Sequence, residues 1–460
     1  MYDRHMTNIS VAHWTLDPVF AENTQIPVLA EVDVLVVGAG AAGVAAATVA
    51  AEAGKSVLMV EKYGFAGGAA VAGLSGTVCG MYLASDTGRG PEQVVFGFAE
   101  RFTAELQARG GLTQPQVYGK TWTSAHDPLM WRETADDVMT AAGVQILYHT
   151  AIVGVIMDGA RHAGAVLSSN AGFSVVKSKR TIDASGDAAV VARAGHGYVF
   201  GDDGRIQNPT MFFRLGGVDV ASFRDSYGED TICPLWVTER ILAAREAGAE
   251  LPRQKIWIFD TTRPNELLVN ATRLTGADGR MLNVIDPADF TEAEIGGRHQ
   301  VREYARFLAD TIPGCQDSFV VDTGVEAGIR QTRSIVGVQT LRNDDVVQAR
   351  KDATGICRSP WPIELHSGDR PKLHWILDDY YEVPYLTLVP ETGEDIIVAG
   401  RCLSAEHEAL ASARVTAQCF EYGHAAAVAT LISLDSGTAY GDLDGKLIRK
   451  EMNANGSALD

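Results

Sequence analysis

The chain has 460 residues, with 39 lysines and arginines against 58 aspartates and glutamates, a formal net charge of −19. Its 46% hydrophobic and 21% charged residues are ordinary for a globular protein, and the length allows two to three domains or one large core with an insertion. The acidic balance argues against nucleic acid and anionic membrane surfaces as partners, since both require a basic footprint.

The six cysteines (Cys79, Cys233, Cys315, Cys357, Cys402, Cys419) form no CxxC pair. They read as free thiols in a reducing compartment, so a cytoplasmic location is expected. The opening residues Met1 to Met6 lack the apolar segment of a secretory signal. The 11 histidines are dispersed and there is no HExxH, so no metal site is expected.

In chain order, residues 1–30 read as an irregular arm. Next comes an apolar strand that runs into Gly38-Ala-Gly40-Ala41-Ala42-Gly43, a small-residue helix, and a second strand ending in Glu61, 23 positions after Gly38. The stretch Val34 to Ala51 is uncharged and long enough to mimic a membrane span, but its three glycines and alanine-rich second half fit strand–turn–helix better. Each part suits a dinucleotide. Gly38 allows a tight turn, Gly40 lets backbone approach a pyrophosphate, Gly43 lets the helix pack on the sheet, and Glu61 accepts from ribose hydroxyls. The helix N-terminus offers free N–H groups to the phosphates. Lys62 then opens a second glycine-rich stretch containing Gly67 and Gly68, placed to pass near the same ligand.

Residues 94–106 and 131–142 have helical spacing, the latter stopping at Gly143. Strand-like alternation follows at 144–149, 151–157, 164–168 and 174–176. The run Asp183-Ala184-Ser185-Gly186-Asp187 reads as a strand entering a glycine turn, then a helix at 188–194. From about 200 to 325 the texture becomes more charged, with strands near 255–259 and 266–269 and a helix over 291–311; this reads as an inserted domain. A strand over 395–399 ends at Gly400 and Arg401, a long helix is expected from Ser412 to Leu434, and residues after 436 read as a loose tail.

Three strand-to-glycine segments, VVGAGAAG at 36–43, DASGDA at 183–188 and DIIVAGR at 395–401, converge if a doubly wound fold places ligand at its strand ends. With these, the chain resembles the FAD-dependent oxidoreductases of the glutathione-reductase-like and fumarate-reductase-like fold. The resemblance rests on "DVLVVGAGAAGVAAATVAAEAGKSVLMVEKYGFAGG", "TIDASGDAAVVARAG", "NPTMFFRLGGVD", "GIRQTRSIVGV", "EVPYLTLVPE" and "IIVAGRCLSAEHEALASARVTAQCFEYGHAAA". It covers roughly residues 30–435 and is weak between 220 and 325. It implies an α/β architecture: a doubly wound, Rossmann-like FAD-binding domain of glutathione-reductase type, with an inserted α+β substrate domain. The boundaries are an N-terminal arm at 1–30, the FAD domain at 31–200 and 326–436, the substrate or cap domain at 201–325, and a C-terminal tail at 437–460.

The resemblance further implies FAD as cofactor and hydride transfer between a small polar organic substrate and flavin N5. The electron partner is left open, oxygen, a quinone and NAD(P)H being the candidates, and the absence of a second GxGxxG argues against a nicotinamide domain. It places Gly38, Gly40, Ala41, Ala42, Gly43, Glu61, Lys62, Gly67, Gly68, Ala184, Ser185, Gly186, Asp187, Gly400 and Arg401 around the cofactor. Val415 and Thr416, near the start of the last helix, would meet the flavin's pyrimidine edge. His407 and Arg414 are the catalytic candidates. Arg330, Arg333, His366 and Tyr385 are the substrate-binding candidates, with Arg330 and Arg333 sharing a helix or turn face; Tyr380 and Tyr381 lie in the same approach. Cys79 and Cys402 flank the same region; whether the flavin is linked covalently, at a cysteine or a histidine, is left open by the sequence. Two alternatives stand beside this reading: a flavin-dependent monooxygenase or halogenase, and a non-catalytic flavin-binding subunit of an electron-transfer complex. A homo-oligomer is compatible with the sequence.

Overall fold

The structure, a computed structural model, describes residues 26–366 and 372–460, so most of the expected N-terminal arm lies outside the described residues. The chain is mixed α/β, and its centre is a seven-stranded sheet. Strands Val28–Val37, Val57–Val60, Gln145–Leu147, Gly172–Asp183 and Ile396–Val398 run parallel. On its other edge, the first half of Gly172–Asp183 continues an antiparallel meander with Ala151–Asp158 and Arg161–Ser169. The central parallel strands are almost wholly apolar because both faces are covered.

Registers fix where the strands end. Val37 pairs with Val60 and with Asp183, and Asp183 pairs with Val398. Four parallel strands therefore stop at one level, and the next residues are Gly38, Glu61, Ala184 and Ala399. Backbone hydrogen bonds hold these exits together: Gly38 N to Val60 O at 2.8 Å, Ala184 N to Val37 O at 2.9 Å, and Ala399 N to Asp183 O at 3.0 Å.

The helices Ala41–Glu52 and Thr416–Ser436 pack against each other as small-residue surfaces. A Cβ on Gly423 would stand 2.0 Å from Ala42 O, so the two backbones touch where any other residue would separate them. The expected helix over 412–434 is in fact two: His407–Ala413 and Thr416–Ser436, broken at Arg414 and Val415. The residues expected to be a loose tail form a helix, Gly445–Ala454, capped by the Asp444 carboxylate and burying Ile448 and Met452 on the main core.

A second core lies within residues 211–327. Its four-stranded antiparallel sheet runs in the order Trp257–Asp260, Glu266–Asn270, Phe213–Gly216, Phe319–Thr323, backed by helices including Pro287–Thr311. A third apolar cluster joins the two, with Tyr118, Phe212, Trp257, Phe259 and Trp361 among its members.

One buried histidine makes the core sensitive to acid. His126 packs on Trp131 with ring centroids 4.6 Å apart, neither ring nitrogen has a hydrogen-bond partner, and burial pushes its pKa down to about 4. The native state therefore holds the neutral ring, whereas the unfolded chain takes up a proton below about 6.5. Stability from this site is full above pH 6.5 and falls as pH drops toward 4, by roughly 3 kcal/mol over the window. His162, also buried and held at about 4, adds in the same direction. Urea unfolding at pH 7 and pH 5 should show the loss, and His126→Phe should reduce it; an unchanged difference in that variant would remove His126 from the cause.

Candidate functional site

Past the level strand ends, a continuous cleft runs to the aromatic cluster that joins the two cores. Its sheet-side walls bring together nearly all the glycine-turn residues singled out in the sequence: Gly38, Gly40, Ala41, Ala42, Glu61, Lys62, Gly67, Gly68, Ala184, Ser185, Gly186, Asp187, Gly400 and Arg401. Gly43 stands behind the wall, packed so closely that a Cβ there would be 1.8 Å from Gly38 O.

Local chemistry explains the wall. Gly38 has φ +98°, and a Cβ would lie 2.6 Å from Ala184 O, so only glycine fits where the two turns touch. Gly40 caps the Ala41–Glu52 helix with no side-chain hydrogen bond, which leaves the helix N-terminus open to the cleft. The Glu61 carboxylate accepts from Ala39 N at 2.8 Å and Tyr63 N at 3.0 Å. A carboxylate has about four acceptor positions, so acceptor capacity remains for a ligand. Burial raises the pKa of Glu61 against the pull of those two N–H groups.

Asp183 organises the second turn. Fully buried, it accepts from Ser185 N and Oγ and from Val190 N and Val191 N, so the turn and the start of the Ala189–Arg193 helix hang from one carboxylate. In the third, Arg401 donates to Asp187 at 2.8 Å and to Thr332 Oγ1 at 2.9 Å, and Thr332 donates to Asp187 at 2.7 Å. Asp187 is thereby held below its ordinary pKa although burial alone would raise it.

The Thr416–Ser436 helix opens onto the cleft through Val415 and Thr416, and no side chain caps it. The break at Arg414 and Val415 places this N-terminus there. An unbroken helix from Ser412 would have carried it elsewhere.

At the far end the cleft changes character. Tyr118, Phe212, Phe259 and Trp361 form an aromatic wall, with Tyr118 and Trp361 centroids 5.0 Å apart. Among them stand Arg330, Arg414, Glu364, His366, Asn270 and Thr210. Tyr118 donates to Glu364 Oε1 at 2.6 Å, and His366 Nε2 lies 3.5 Å from the same oxygen. Arg253, stacked 4.5 Å over Trp257, reaches His366 Nδ1 at 3.3 Å and Asn270 Oδ1 at 3.4 Å. Guanidinium groups only donate, so His366 Nδ1 accepts and its ring proton sits on Nε2, facing Glu364.

Burial works against every charge here. It pushes Arg253 and Arg330 down and brings Arg414 to about 10. Burial and the neighbouring Arg330 push His366 well below 6.5, so it is neutral. Glu364, which burial alone would raise, is held below its ordinary value by hydrogen bonds from His366 and Tyr118 and by the Arg414 guanidinium.

Several candidates are not brought to the cleft. His407 opens the His407–Ala413 helix, half-buried among Asp202, Glu408 and Arg205, and does not line it; the cleft's histidine is His366. Arg333 turns away to donate to Asp187 O at 3.3 Å and to cover the Tyr198 ring, while Arg330 points into the aromatic end. The two share no helix face, because Arg333 begins a strand and Arg330 precedes it in a loop. Tyr385 is fully buried and donates to Tyr440 O, Tyr381 bonds Ser412 at 2.8 Å, and Tyr380 lies beside Lys351 and Arg358. Cys402 is buried behind the wall; Cys79 lines the cleft, with burial raising its pKa to about 11.

Sequence reading missed Tyr118, Glu364, Arg253, Asn270 and the aromatic wall. Two signals were available. Alternation in NPTMFF puts Thr210 and Phe212 on one face and Met211 and Phe213 in the second core, and Glu364 and His366 are likewise two apart on one extended segment.

A family model described as FAD dependent oxidoreductase matches residues 33–452. A thiamine thiazole synthase of Aeropyrum pernix is 30% identical over 172 residues, 35% of this chain and 57% of that protein. A urocanate reductase of Eggerthella lenta is 66% identical over 38 residues, 8% of this chain and 6% of its own length. The chain thus spans little more than half of the first relative and a small part of the second. Among solved structures, p-nitrophenol 4-monooxygenase of Pseudomonas putida aligns with 94% of this chain and 88% of its own at 12% identity and TM-score 0.49. A geranylgeranyl bacteriochlorophyll reductase-like protein of Thermoplasma acidophilum aligns with 92% and 82% at 14% identity and TM-score 0.48.

Proposed function

The chain belongs to the FAD dependent oxidoreductase family and is an FAD-using enzyme; from that premise we propose that it moves a hydride between a small polar organic substrate and flavin N5. The observation that carries this reading is the one cleft that begins at four coincident strand ends and finishes in a buried polar cluster walled by aromatic rings. No helix among the described residues is long and apolar enough to cross a membrane, and none of their acidic, histidine and cysteine side chains group as a metal site.

The residues fit the cofactor. The space beside Gly40 is open, since a Cβ there would meet nothing nearer than Gly68 Cα at 3.9 Å. A diphosphate placed along this backbone meets an uncapped helix N-terminus, and Glu61 retains acceptor positions for a ribose. Val415 and Thr416 would present the second helix end, which no side chain caps, to the flavin's pyrimidine edge, where fixed N–H groups favour negative charge. When bound, FAD supplies the two-electron chemistry.

The protein's own part lies at the other end. Arg330 and Arg414 bind and orient a polar substrate group, and the aromatic wall excludes water around it. Tyr118 O–H, Glu364 and His366 Nε2–H form a hydrogen-bonded set that holds or moves a proton at the substrate.

Anaerobic titration of the purified protein with hydroxy acids, amines, sugars and phenols tests the reading. Bleaching of the oxidised-flavin band by one class is the expected result. Flavin reduced by NAD(P)H alone would point instead to a monooxygenase or reductase, and flavin that no organic donor or NAD(P)H reduces would point to a relay subunit.

A further inference from the structure

Charge does not balance at the aromatic end of the cleft. Three guanidinium groups, Arg253, Arg330 and Arg414, surround one carboxylate, Glu364, and His366 is neutral, which leaves an excess of two positive charges in a desolvated place. Uncompensated buried charge is costly, and here the remaining neighbours are amides, hydroxyls and aromatic rings.

Hydrogen bonding shows the same deficit. Arg414 Nε, Gln207 Nε2 and Asn208 Nδ2 are buried and have no partner. All three are donors, and they adjoin: Arg414 donates to Gln207 Oε1 at 3.0 Å and Arg330 to Asn208 O at 2.6 Å. What is missing is an acceptor carrying negative charge. Buried native donors are almost always satisfied, and of these three Arg414 lines the cleft, so an unpaired guanidinium N–H beside excess positive charge points to a ligand there.

The rest of the wall specifies the ligand's body. Tyr118, Phe212, Phe259 and Trp361 offer flat apolar surface, with Tyr118 and Phe259 stacked at 6.2 Å and 17°. Flat rings pack against such surfaces more fully than a short aliphatic chain does.

We propose that this end of the cleft binds an aromatic carboxylate, its anion on Arg330 and Arg414 and its ring against Tyr118, Phe212, Phe259 and Trp361. Arg253 acts from behind as a positioning residue that fixes Asn270 and His366. The inference rests on the proposed reading that this cleft is the substrate site, and it names the substrate class.

The test uses the purified holoenzyme with three probes: benzoate, its neutral isostere benzamide, and inorganic phosphate. Two quantities are read in each sample, the perturbation of the bound flavin's absorption and the ligand-dependent rise in Tm. Benzoate should perturb the flavin saturably and raise Tm, with benzamide and phosphate each about tenfold weaker or more. Arg414→Met and Arg330→Met should weaken benzoate by about the same factor while flavin content is retained. Arg414→Gln and Arg330→Gln, which remove the charge but keep a hydrogen-bond donor, serve if either methionine variant fails to fold. Equal binding of benzamide would remove the anion clamp, equal binding of phosphate would remove the aromatic wall, and no response to benzoate would overturn the proposal. Flavin content reports separately on the parent reading: a wild-type chain without flavin would sink that reading, while a benzoate-dependent rise in Tm would still support the clamp.

Discussion

Gly40→Leu is expected to give a folded chain that purifies without flavin, its flavin-to-protein ratio falling below about 0.1. Gly40 has φ −70° and ψ −176°, an extended conformation open to any residue, and its Cβ position is empty out to 3.9 Å. The fold therefore has no quarrel with a side chain at this position. A leucine side chain would instead occupy the cleft beside the Ala41–Glu52 N-terminus, where a diphosphate must approach the backbone. Gly43→Ala is the contrasting case. Its Cβ would overlap Gly38 O at 1.8 Å, so the turn itself must move and stability should fall by about 3 kcal/mol or more. Circular dichroism melting and the flavin-to-protein absorbance ratio separate the two outcomes. A Gly40→Leu protein that stays yellow at full stoichiometry would place the cofactor somewhere else.

That contrast marks how far local sequence reaches. The turn after Val37, the acid at Glu61 and the strands leading to Asp183 and Gly400 were legible because each is a short-range pattern: an apolar run, a glycine where chains touch, a polar residue at a fixed distance. The helix break at Arg414 was not legible, since SARVTAQ has no proline or glycine to announce it. It follows from contacts, with Ala417 N taken by Cys79 O and Arg414 drawn to Gln207. Arg253 is similarly silent, because its neighbours Asn270 and His366 are 17 and 113 residues away. His407 and Tyr385 drew attention through position near the closing motif, and position along the chain does not say which way a side chain faces. The Gly445–Ala454 helix does carry a local signal: Ile448 and Met452 lie four apart behind an Asp444 cap, an ordinary amphipathic pattern.

Glu364→Gln tests whether charge rather than shape governs the aromatic end. Glutamine keeps an oxygen to accept from Tyr118 at nearly the same volume, so the substitution removes charge and little else. The local excess then rises from two positive charges to three among Arg253, Arg330 and Arg414. Removing one partner of a buried ionic group generally costs about 3–5 kcal/mol, and that loss is expected here in urea unfolding at pH 7. Tyr118→Phe removes the same hydrogen bond without touching the charge and should cost only about 1–2 kcal/mol. The pH dependence has a fixed sign. Glu364 is held below its ordinary 4.5, so its stabilisation is complete above pH 4.5 and is lost as pH falls through the depressed value. The glutamine variant should lack that part of the acid slope. Saturating benzoate should raise the Tm of the variant more than that of the wild type, since it meets a larger uncompensated charge. A Glu364→Gln protein within about 1 kcal/mol of wild type, with an unchanged acid slope, would mean that the guanidinium groups are already neutralised in the native protein and that the charge argument for this site is wrong.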